Sequence, residues 1–587
     1  MKRKIIQFAA FILILALALP GDACAAPGGK QEMVRVGLFF GSTAMVGSNL
    51  QNNTGYGAGY RFGYYDGDLD FVEAARTGEK TTEVTVLKAQ NVWYYYDRST
   101  GAYVYETSDN GGTAIGCYHI RLPGAYDDFD GASAAAEEAG GFVAWIDGEY
   151  QVRYGAYVSK EKAQEALDSL GEGSIVGTSS YAVTVIATGT STVLYQHDGG
   201  AERPLGILPD VTGAETVRTW CKGYKYGGGF RYERIDGGDL TVVNVLDLES
   251  YIKGVIPYEM NNAWPLEALK TQAVCARSYA KVNIGESKHR AYHIDVCATA
   301  CCQAYHGVGT NRKSYQANGV TDRAVEETTG MYALYNGQPI PAYYSSSHGG
   351  ASESIYNVWG SALSKTPYLC GVIDPYESGA DSINANSSWT VKYTAAELTS
   401  RLQSKGFGTG TSVDHLELEY SDLGNVIRVV VHWKNGNKNT IKASGGTNGI
   451  RNVFNLKSIH FTVNGASPSD GGDPGGLTIN GIEALSSLDG VYVISGSGAV
   501  SALDGTPYTI SGSGTVAEAS VGGGGESGEM GGTVSVSGSS YTITGSGWGH
   551  QLGMSQYGAY AMAQKGFTYD EIVEFYYPGV SVGQISQ

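Results

Sequence analysis

The chain has 587 residues, a formal net charge of −18 and only 17% charged residues, with 84 glycines. This acidity argues against nucleic acid as a partner, because a phosphate backbone requires a basic protein face. Tyrosine outnumbers phenylalanine 42 to 14. Tyrosine rings stack well on sugars, although we expect most of them simply to occupy strands.

The N-terminal segment has the pattern of a secretory signal peptide. Basic residues 2–4 precede an apolar run at 5–19, and a small-residue cleavage pattern surrounds Cys24. Residues 1–25 are therefore predicted to be a signal peptide that directs the chain to the cell wall or the outer face of the membrane. Lipidation of Cys24 is a weaker alternative, because Gly21 and Asp22 do not fit a lipoprotein signal.

Short alternating segments predict a β-rich region at residues 26–110. In the next region, 111–185, the stretch "FVAWIDGEYQVRYGAYVSKEKAQEALDSL" predicts strand, turn, strand and a helix from near Ser159. This order resembles the sporulation-related repeat, a module that binds peptidoglycan glycan strands stripped of their peptides. An unrelated βαβ module is the alternative. Residues 186–240 are predicted to be a β-rich lead-in to the next domain.

The most informative stretch, residues 255–265, places Glu259 in a predicted loop framed by Pro257 and Trp264, ahead of a predicted helix at 266–280. Burial beside apolar side chains raises the pKa of such a carboxyl group, and a helix N-terminus lowers it. Carboxyl groups tuned in this way transfer protons in many enzymes. The alternative interpretation is a loop glutamate that caps the helix.

Three segments carry a family resemblance: "LESYIKGVIPYEMNNAWPLEALKTQAVCARSYA", "AVEETTGMYALYNGQPIPAYYSSSHGGASES" and "GSGWGHQLGMSQYGAYAMAQKGFTYDEIVEFYYPG". In this order they resemble the stage II sporulation protein D (SpoIID) family, whose relatives include amidase enhancers. The resemblance implies an α+β, multi-domain, β-rich fold, with a SpoIID-like core of mixed strands and a few helices at 241–465. A Gly/Ser-rich insertion with short β repeats is predicted at 466–540, and residues 541–587 are predicted to complete the core.

The resemblance implies a peptidoglycan lytic transglycosylase, in sporulation or wall remodelling, that leaves 1,6-anhydro-muramyl ends with Glu259 as its single general acid and base. A two-carboxylate hydrolase requires a second acid, and no motif singles one out among Glu267, Asp295, Glu353 and Asp374. One alternative is a non-catalytic amidase enhancer that binds peptidoglycan and activates an N-acetylmuramoyl-alanine amidase. The other, a surface adhesin, does not account for three ordered motifs.

Substrate-binding candidates come from the three motifs. A serine-rich strand that ends in Gly-Gly lets backbone approach a ligand closely. A nucleophilic serine is not expected, because the neighbours Ser347 and His348 would point to opposite faces of a strand. His550 leaves a Gly-Trp-Gly turn, with a buried structural role as the alternative. The predicted glycan-binding residues are Tyr258, Arg277, Tyr344, Ser346, Ser347, His348, Gly349, His550, Gln556 and Tyr557.

Thiols and imidazoles cluster in "YHIDVCATACCQAYHG", with a spacing suited to tetrahedral Zn²⁺. The family resemblance implies a structural zinc held by His293, Cys297 and Cys302. Cys301 departs from the family pattern and is expected to replace Cys302 or to add a ligand. A disulfide is the alternative, because exported proteins oxidise neighbouring thiols.

Overall fold

A computed structural model describes residues 31–52, 57–211, 217–309, 316–408, 410–466 and 532–585, together with six short strands between residues 478 and 518. The predicted signal peptide, including Cys24, and most of the predicted insertion lie outside the described residues. Within the described residues, no helix is both long and apolar enough to cross a membrane.

Strands outnumber helices, and the predicted α+β fold class is confirmed. The helices are α1 (Phe129–Ala139), α2 (Lys160–Leu170), α3 (Leu248–Glu259), α4 (Leu266–Asn283), α5 (Gly319–Glu326), α6 (Ile355–Trp359), α7 (Ala395–Ser404), α8 (Ile450–Phe454), α9 (Gln556–Gln564) and α10 (Tyr569–Tyr576). The strands up to residue 226 are β1 (Met33–Phe39), β2 (Gly47–Asn52), β3 (Gly57–Tyr65), β4 (Phe71–Arg76), β5 (Glu83–Lys88), β6 (Val92–Asp97), β7 (Ala102–Glu106), β8 (Thr113–Ile115), β9 (Tyr118–Arg121), β10 (Phe142–Ile146), β11 (Glu149–Tyr157), β12 (Ser174–Val176), β13 (Val183–Ala187), β14 (Val193–Asp198), β15 (Leu205–Val211), β16 (Thr219–Cys221) and β17 (Tyr224–Tyr226). The later strands are β18 (Gly229–Arg234), β19 (Leu240–Asp247), β20 (Val296–Cys297), β21 (Tyr332–Tyr335), β22 (Gln338–Pro339), β23 (Tyr344–Ser345), β24 (Trp389–Thr394), β25 (Val413–Tyr420), β26 (Val426–Trp433), β27 (Lys438–Lys442), β28 (Phe461–Val463), β29 (Thr478–Ile479), β30 (Glu483–Ala484), β31 (Tyr492–Ile494), β32 (Val500–Ala502), β33 (Tyr508–Ile510), β34 (Val516–Glu518), β35 (Thr533–Ser537), β36 (Ser540–Gly545), β37 (Met554–Ser555) and β38 (Ser581–Gly583).

A seven-stranded sheet has the order β20-β1-β19-β18-β15-β3-β4, and it positions both helix α3 and Cys297. β1 pairs antiparallel with β19, which leads directly into α3. On its other side β1 pairs in parallel with β20, which places Gly37 opposite Cys297. The predicted border at residue 240 therefore falls inside one sheet, because strands from both sides of it are hydrogen-bonded together.

A ten-stranded sheet has the order β12-β9-β11-β10-β14-β13-β5-β2-β16-β17. Its first four strands, with α1 and α2, form a β-α-β-β-α-β unit of the ferredoxin-like type. Ser159 caps α2 by accepting a hydrogen bond from the Lys162 N–H, which agrees with the predicted helix start. That this unit binds glycan in the manner of the sporulation-related repeat remains a prediction.

Helices α3 and α4 are joined by a short turn, and Glu259 is the last residue of α3. The sequence predicted this residue in a loop, but the helix continues through Pro257 in its final turn. Asp247 caps the start of α3 by accepting from the Ser250 N–H at 2.9 Å. The carboxyl group thus lies at a helix C-terminus, where the negative end of the helix dipole disfavours its ionised form.

The middle and C-terminal motifs meet in a two-stranded parallel pair, β23 with β37. A further pair of backbone hydrogen bonds joins Ser347 to Trp548. Ser555 caps α9, so Gln556 stands at the first position of that helix. Within the predicted insertion, β31 pairs with β32 and β33 with β34, as the repeated "ISGSG" pattern predicts.

Candidate active site

Two cavities meet at Glu259. The first, of about 610 Å³, is bounded by Trp264 on one side and by Tyr557 of α9 on the other. The second, of about 910 Å³, extends towards His550 and the cysteine-rich loop. Glu259, Ser346 and Gln556 line both cavities, so the two are arms of one groove with the carboxyl group at their junction.

Three donors surround the Glu259 carboxyl group. The Ala304 N–H donates to Oε1 at 2.6 Å, the Gln556 side-chain amide lies 3.5 Å from Oε2, and the Tyr344 hydroxyl also donates to the group. These hydrogen bonds favour the ionised form, but burial outweighs them and raises the pKa of Glu259 above its usual value. Glu259 is therefore an acid that keeps its proton to a higher pH than an exposed glutamate does.

Buried side chains fix the direction of these donors. The Tyr251 hydroxyl donates to Gln303 Oε1 at 3.0 Å, and Gln303 Nε2 donates to the Tyr344 hydroxyl at 3.1 Å. Because the Tyr344 oxygen accepts from Gln303, its own proton is available for Glu259. Gln556 is held in a similar way, since its Nε2 donates to Gln272 Oε1 at 3.2 Å.

Aromatic rings form the rims of the groove. Trp264 packs edge-on against Tyr557 with ring centroids 5.0 Å apart. In the other arm, Trp359 lies 5.4 Å from the His550 ring, and Trp548 is 53% exposed. Aromatic side chains that are at least partly exposed on both sides of a carboxyl group suit a chain of sugar rings.

The groove brings together six of the ten predicted binding residues. These are Tyr258, Tyr344, Ser346, His550, Gln556 and Tyr557. The other four line neither cavity. They are Arg277, Ser347, His348 and Gly349.

Arg277 is corrected from a substrate-binding residue to an internal one. Its side chain is fully buried and donates to both carboxylate oxygens of Glu249 at 2.8 and 2.7 Å. It also donates to the Met331 carbonyl oxygen at 3.1 Å. The guanidinium therefore ties α4 to the first turn of α3 and does not reach the groove.

Ser347, His348 and Gly349 are likewise corrected. Ser347 is buried, and its backbone is hydrogen-bonded to Trp548. The backbone N–H groups of the other two are directed at the carboxylate of Glu377. This carboxylate is 3% exposed and accepts from the His348 and Gly349 N–H groups, each at 2.8 Å, and from the Ser555 hydroxyl at 2.7 Å. Burial lowers the pKa of the His348 imidazole to about 3. Glu377 thus joins the middle motif to the start of α9. The sequence did not predict this role, because its local signal is limited to the nearby capping residue Asp374.

The alternative acids considered from the sequence are engaged elsewhere. Glu267 pairs with Lys270, Asp295 with Arg35, Glu353 with Ser421 and Asn425, and Asp374 with Tyr576. None of them lines the groove. Among the described residues that do, the second carboxylate is Glu286, an exposed residue in the wall of the second arm.

A cluster of His289, Cys297, Cys301 and Cys302 lies at the end of the second arm. Their ligand atoms are all within 4.8 Å of one another. Three thiols and one imidazole form a donor set typical of tetrahedral Zn²⁺. A hydrogen bond with Cys302 lowers the pKa of the Cys297 thiol. The donor set therefore fits the predicted metal.

His293 is not part of this cluster, and the imidazole that lies there is that of His289. The His293 backbone is left-handed, with a φ of 54°, and its Nδ1 lies 2.6 Å from Glu233 Oε1. The imidazole consequently faces a different cavity, next to Arg35. Cys301, which the sequence left open, belongs to the cluster with Cys302.

Comparison with known proteins identifies the family. Residues 236–335 match the family model of the stage II sporulation protein SpoIID. These residues form a SpoIID domain, and a longer part of the chain is similar to SpoIID relatives. The matched segment contains α3, α4 and the cysteine cluster, whereas Tyr344 and Gln556 of the groove lie beyond it. The predicted family is confirmed.

Similar proteins include SpoIID relatives with different names. The amidase enhancer of Bacillus subtilis (strain 168) is 28% identical over 346 residues, which cover 56% of this chain and 40% of that protein. Stage II sporulation protein D of the same organism is 26% identical over 357 residues, covering 58% and 76%. An uncharacterized protein of Brachyspira hyodysenteriae is 29% identical over 350 residues, covering 58% and 68%. The chain thus matches less than half the length of the amidase enhancer.

Proposed function

We propose that this SpoIID-family chain is a peptidoglycan lytic transglycosylase that cleaves peptide-stripped glycan strands at the cell wall, with Glu259 as its only general acid and base. The main support for this proposal is a single carboxyl group of raised pKa at the junction of the two groove arms. Aromatic side chains that are at least partly exposed on both sides suit the sugars that flank a cleaved bond.

In the first step the protonated Glu259 donates its proton to the glycosidic oxygen. The bond between that oxygen and C1 of the muramyl sugar breaks, and the departing sugar leaves as an alcohol. The raised pKa supports this step, because it keeps a larger fraction of Glu259 protonated near neutral pH.

In the second step the Glu259 carboxylate removes the proton of the same muramyl sugar's C6 hydroxyl. The C6 oxygen then bonds to C1 and closes a 1,6-anhydro ring, and Glu259 regains its proton. The Ala304 N–H, the Tyr344 hydroxyl and the Gln556 amide stabilise the carboxylate between the steps. The sugar supplies its own nucleophile, so a second protein carboxylate is not needed.

We also propose a structural zinc ion held by His289, Cys297, Cys301 and Cys302. When bound, it would act as a cross-link that fixes the loop which carries the Ala304 N–H. A disulfide between two of these thiols is the alternative.

The second candidate is a non-catalytic amidase enhancer, favoured by the match to the relative of that name. Such a protein would hold wall glycan in the same groove and stimulate an N-acetylmuramoyl-alanine amidase. The test is to incubate the purified chain with peptide-stripped glycan, and with intact peptidoglycan plus such an amidase. A transglycosylase alone releases 1,6-anhydro-muramyl ends, detected by mass spectrometry. An enhancer releases none and accelerates the removal of stem peptides.

A further inference from the structure

A third cavity, of about 540 Å³, lies outside the Glu259 groove and shares no lining residue with it. It opens between the β6–β7 hairpin and the strands β2 and β16 of the ten-stranded sheet. Its aromatic lining residues are Tyr96, Tyr103, Tyr105 and Trp220, and its main polar ones are Asn49, Gln51 and Glu83. We call it the tyrosine cleft.

The hairpin forms the roof of this cleft. Direct cross-strand pairing sets Tyr96 opposite Tyr103 and Tyr94 opposite Tyr105, so all four rings share one face. Tyr94 is buried in a small apolar cluster and anchors the hairpin, whereas Tyr96 is 52% exposed at the mouth. Gly47 of β2 permits the close approach, because a Cβ there would lie 2.7 Å from the Tyr105 ring. The hairpin is therefore fixed by Tyr94, while the ring of Tyr96 remains accessible to a ligand.

Trp220 lies on the side of the cleft opposite the hairpin. There β16 pairs with β2, which places Trp220 beside Gln51. The Lys225 ammonium group lies 4.8 Å from the Trp220 ring centroid. This cation–π contact restrains the indole and lowers the entropy that a ligand would otherwise lose in ordering it. Aromatic side chains thus line both walls of the cleft.

Hydrogen-bonding groups lie between these walls. Asn49 Oδ1 accepts from the Tyr105 hydroxyl at 2.5 Å and from the Thr85 hydroxyl at 3.0 Å, which leaves its amide donor for a ligand. Gln51 Nε2 donates to Glu83 Oε1 at 2.6 Å, which leaves Gln51 Oε1 and the second Glu83 oxygen as acceptors. Donors and acceptors in one row complement the neighbouring hydroxyl and acetamido groups of a pyranose.

We propose that the tyrosine cleft is a second glycan-binding site, which takes a β-linked amino-sugar strand of the wall and holds the enzyme on its polymer. The identification of the glycan as peptidoglycan rests on the proposed function. The row of polar groups disfavours a purely apolar partner. The site lies between regions 26–110 and 186–240, for which the sequence predicted no binding role.

The test uses the full chain with Glu259→Gln, so that bound strands are not cleaved. Co-sedimentation with peptide-stripped glycan is measured for Trp220→Ala and Tyr96→Ala in that background. Each should weaken binding about tenfold, because a stacking face is lost and linked sites reinforce each other on a polymer. The matched control is Tyr95→Ala, which removes a 42% exposed ring from the opposite face of the same strand and should leave binding unchanged.

Unchanged binding by both Trp220→Ala and Tyr96→Ala, with parental Tm, would overturn the site. If either variant fails to fold, the Gln51→Ala, Glu83→Gln double variant decides in the same way, since both side chains are exposed. In the chain with Glu259 intact, Trp220→Ala should retain the cleavage rate on short soluble strands. Should the parent release no anhydro ends while Trp220→Ala still loses binding, the tyrosine cleft stands and the transglycosylase proposal fails.

Discussion

The Ala304 N–H donates a 2.6 Å hydrogen bond to Glu259 Oε1, and so connects the cysteine-rich loop to the carboxyl group of the groove. Cys302, two residues earlier, belongs to the four-residue metal-type cluster. Anything that loosens this loop weakens a donor that lowers the pKa of Glu259. The cluster can therefore influence proton transfer without contacting the substrate.

Metal binding can be tested with two histidines of the same loop. Chain prepared under reducing conditions should contain about one zinc per molecule, and His289→Ala should lower both zinc content and Tm, because the ion stabilises the folded state. His293→Ala is the matched control and should retain zinc, because its imidazole contacts Glu233. Equal zinc loss in both variants, or a quantitative disulfide at Cys297 in the native protein, would contradict the assignment.

The Tyr344 hydroxyl gives a prediction for pH dependence. Its hydrogen bond lowers the pKa of Glu259, so Tyr344→Phe should raise that pKa further above the usual glutamate value. Cleavage requires protonated Glu259 in the free enzyme, so the alkaline limb of kcat/KM should move to higher pH. A limb that stays in place, or moves to lower pH, would show that Tyr344 does not act on Glu259.

Glu259 should also reduce the stability of the fold at neutral pH. A carboxyl group whose folded pKa is raised destabilises the native state once pH exceeds the unfolded pKa, because ionisation in the buried site is unfavourable. Glu259→Gln should therefore raise Tm at pH 7, and this gain should disappear below about pH 3.5, where both states are protonated. The exposed Glu286→Gln change should move Tm little at either pH. A lower Tm for Glu259→Gln at pH 7 would contradict the raised pKa.

Arg277 gives a stability prediction with an exposed counterpart. Arg277→Ala leaves Glu249 without its buried partner and should cost about 3–5 kcal/mol in the free energy of unfolding, measured by urea denaturation. Arg323→Ala breaks an exposed pair between α5 and Glu327, the residue that follows this helix, and should cost about 0.5 kcal/mol or less. A loss below about 1 kcal/mol for Arg277→Ala would contradict its role in joining the two helices.

Motif order was sufficient to predict the family and the α+β class, and it singled out Glu259 because one carboxyl group stood between Pro257 and Trp264. The sequence did not separate Arg277 from the groove residues, because its partner Glu249 comes from a neighbouring helix whose packing is a tertiary property. The sequence predicted His293 in the cysteine cluster, where the structure has His289, for a similar reason. The pairing of β20 with β1 sets the path of that loop, and a two-residue strand leaves little trace in the sequence. Glu377 was missed because it acts on backbone N–H groups that are distant in the chain.

The most direct test of the account is product analysis of the Glu259→Gln chain on peptide-stripped glycan, beside the parent and Glu286→Gln. The substitution keeps the side-chain size and removes the transferable proton. The account predicts 1,6-anhydro-muramyl ends from the parent and Glu286→Gln, and a loss of at least about a hundredfold in Glu259→Gln, with glycan binding retained. Undiminished release by Glu259→Gln would contradict the assignment of Glu259 as acid and base.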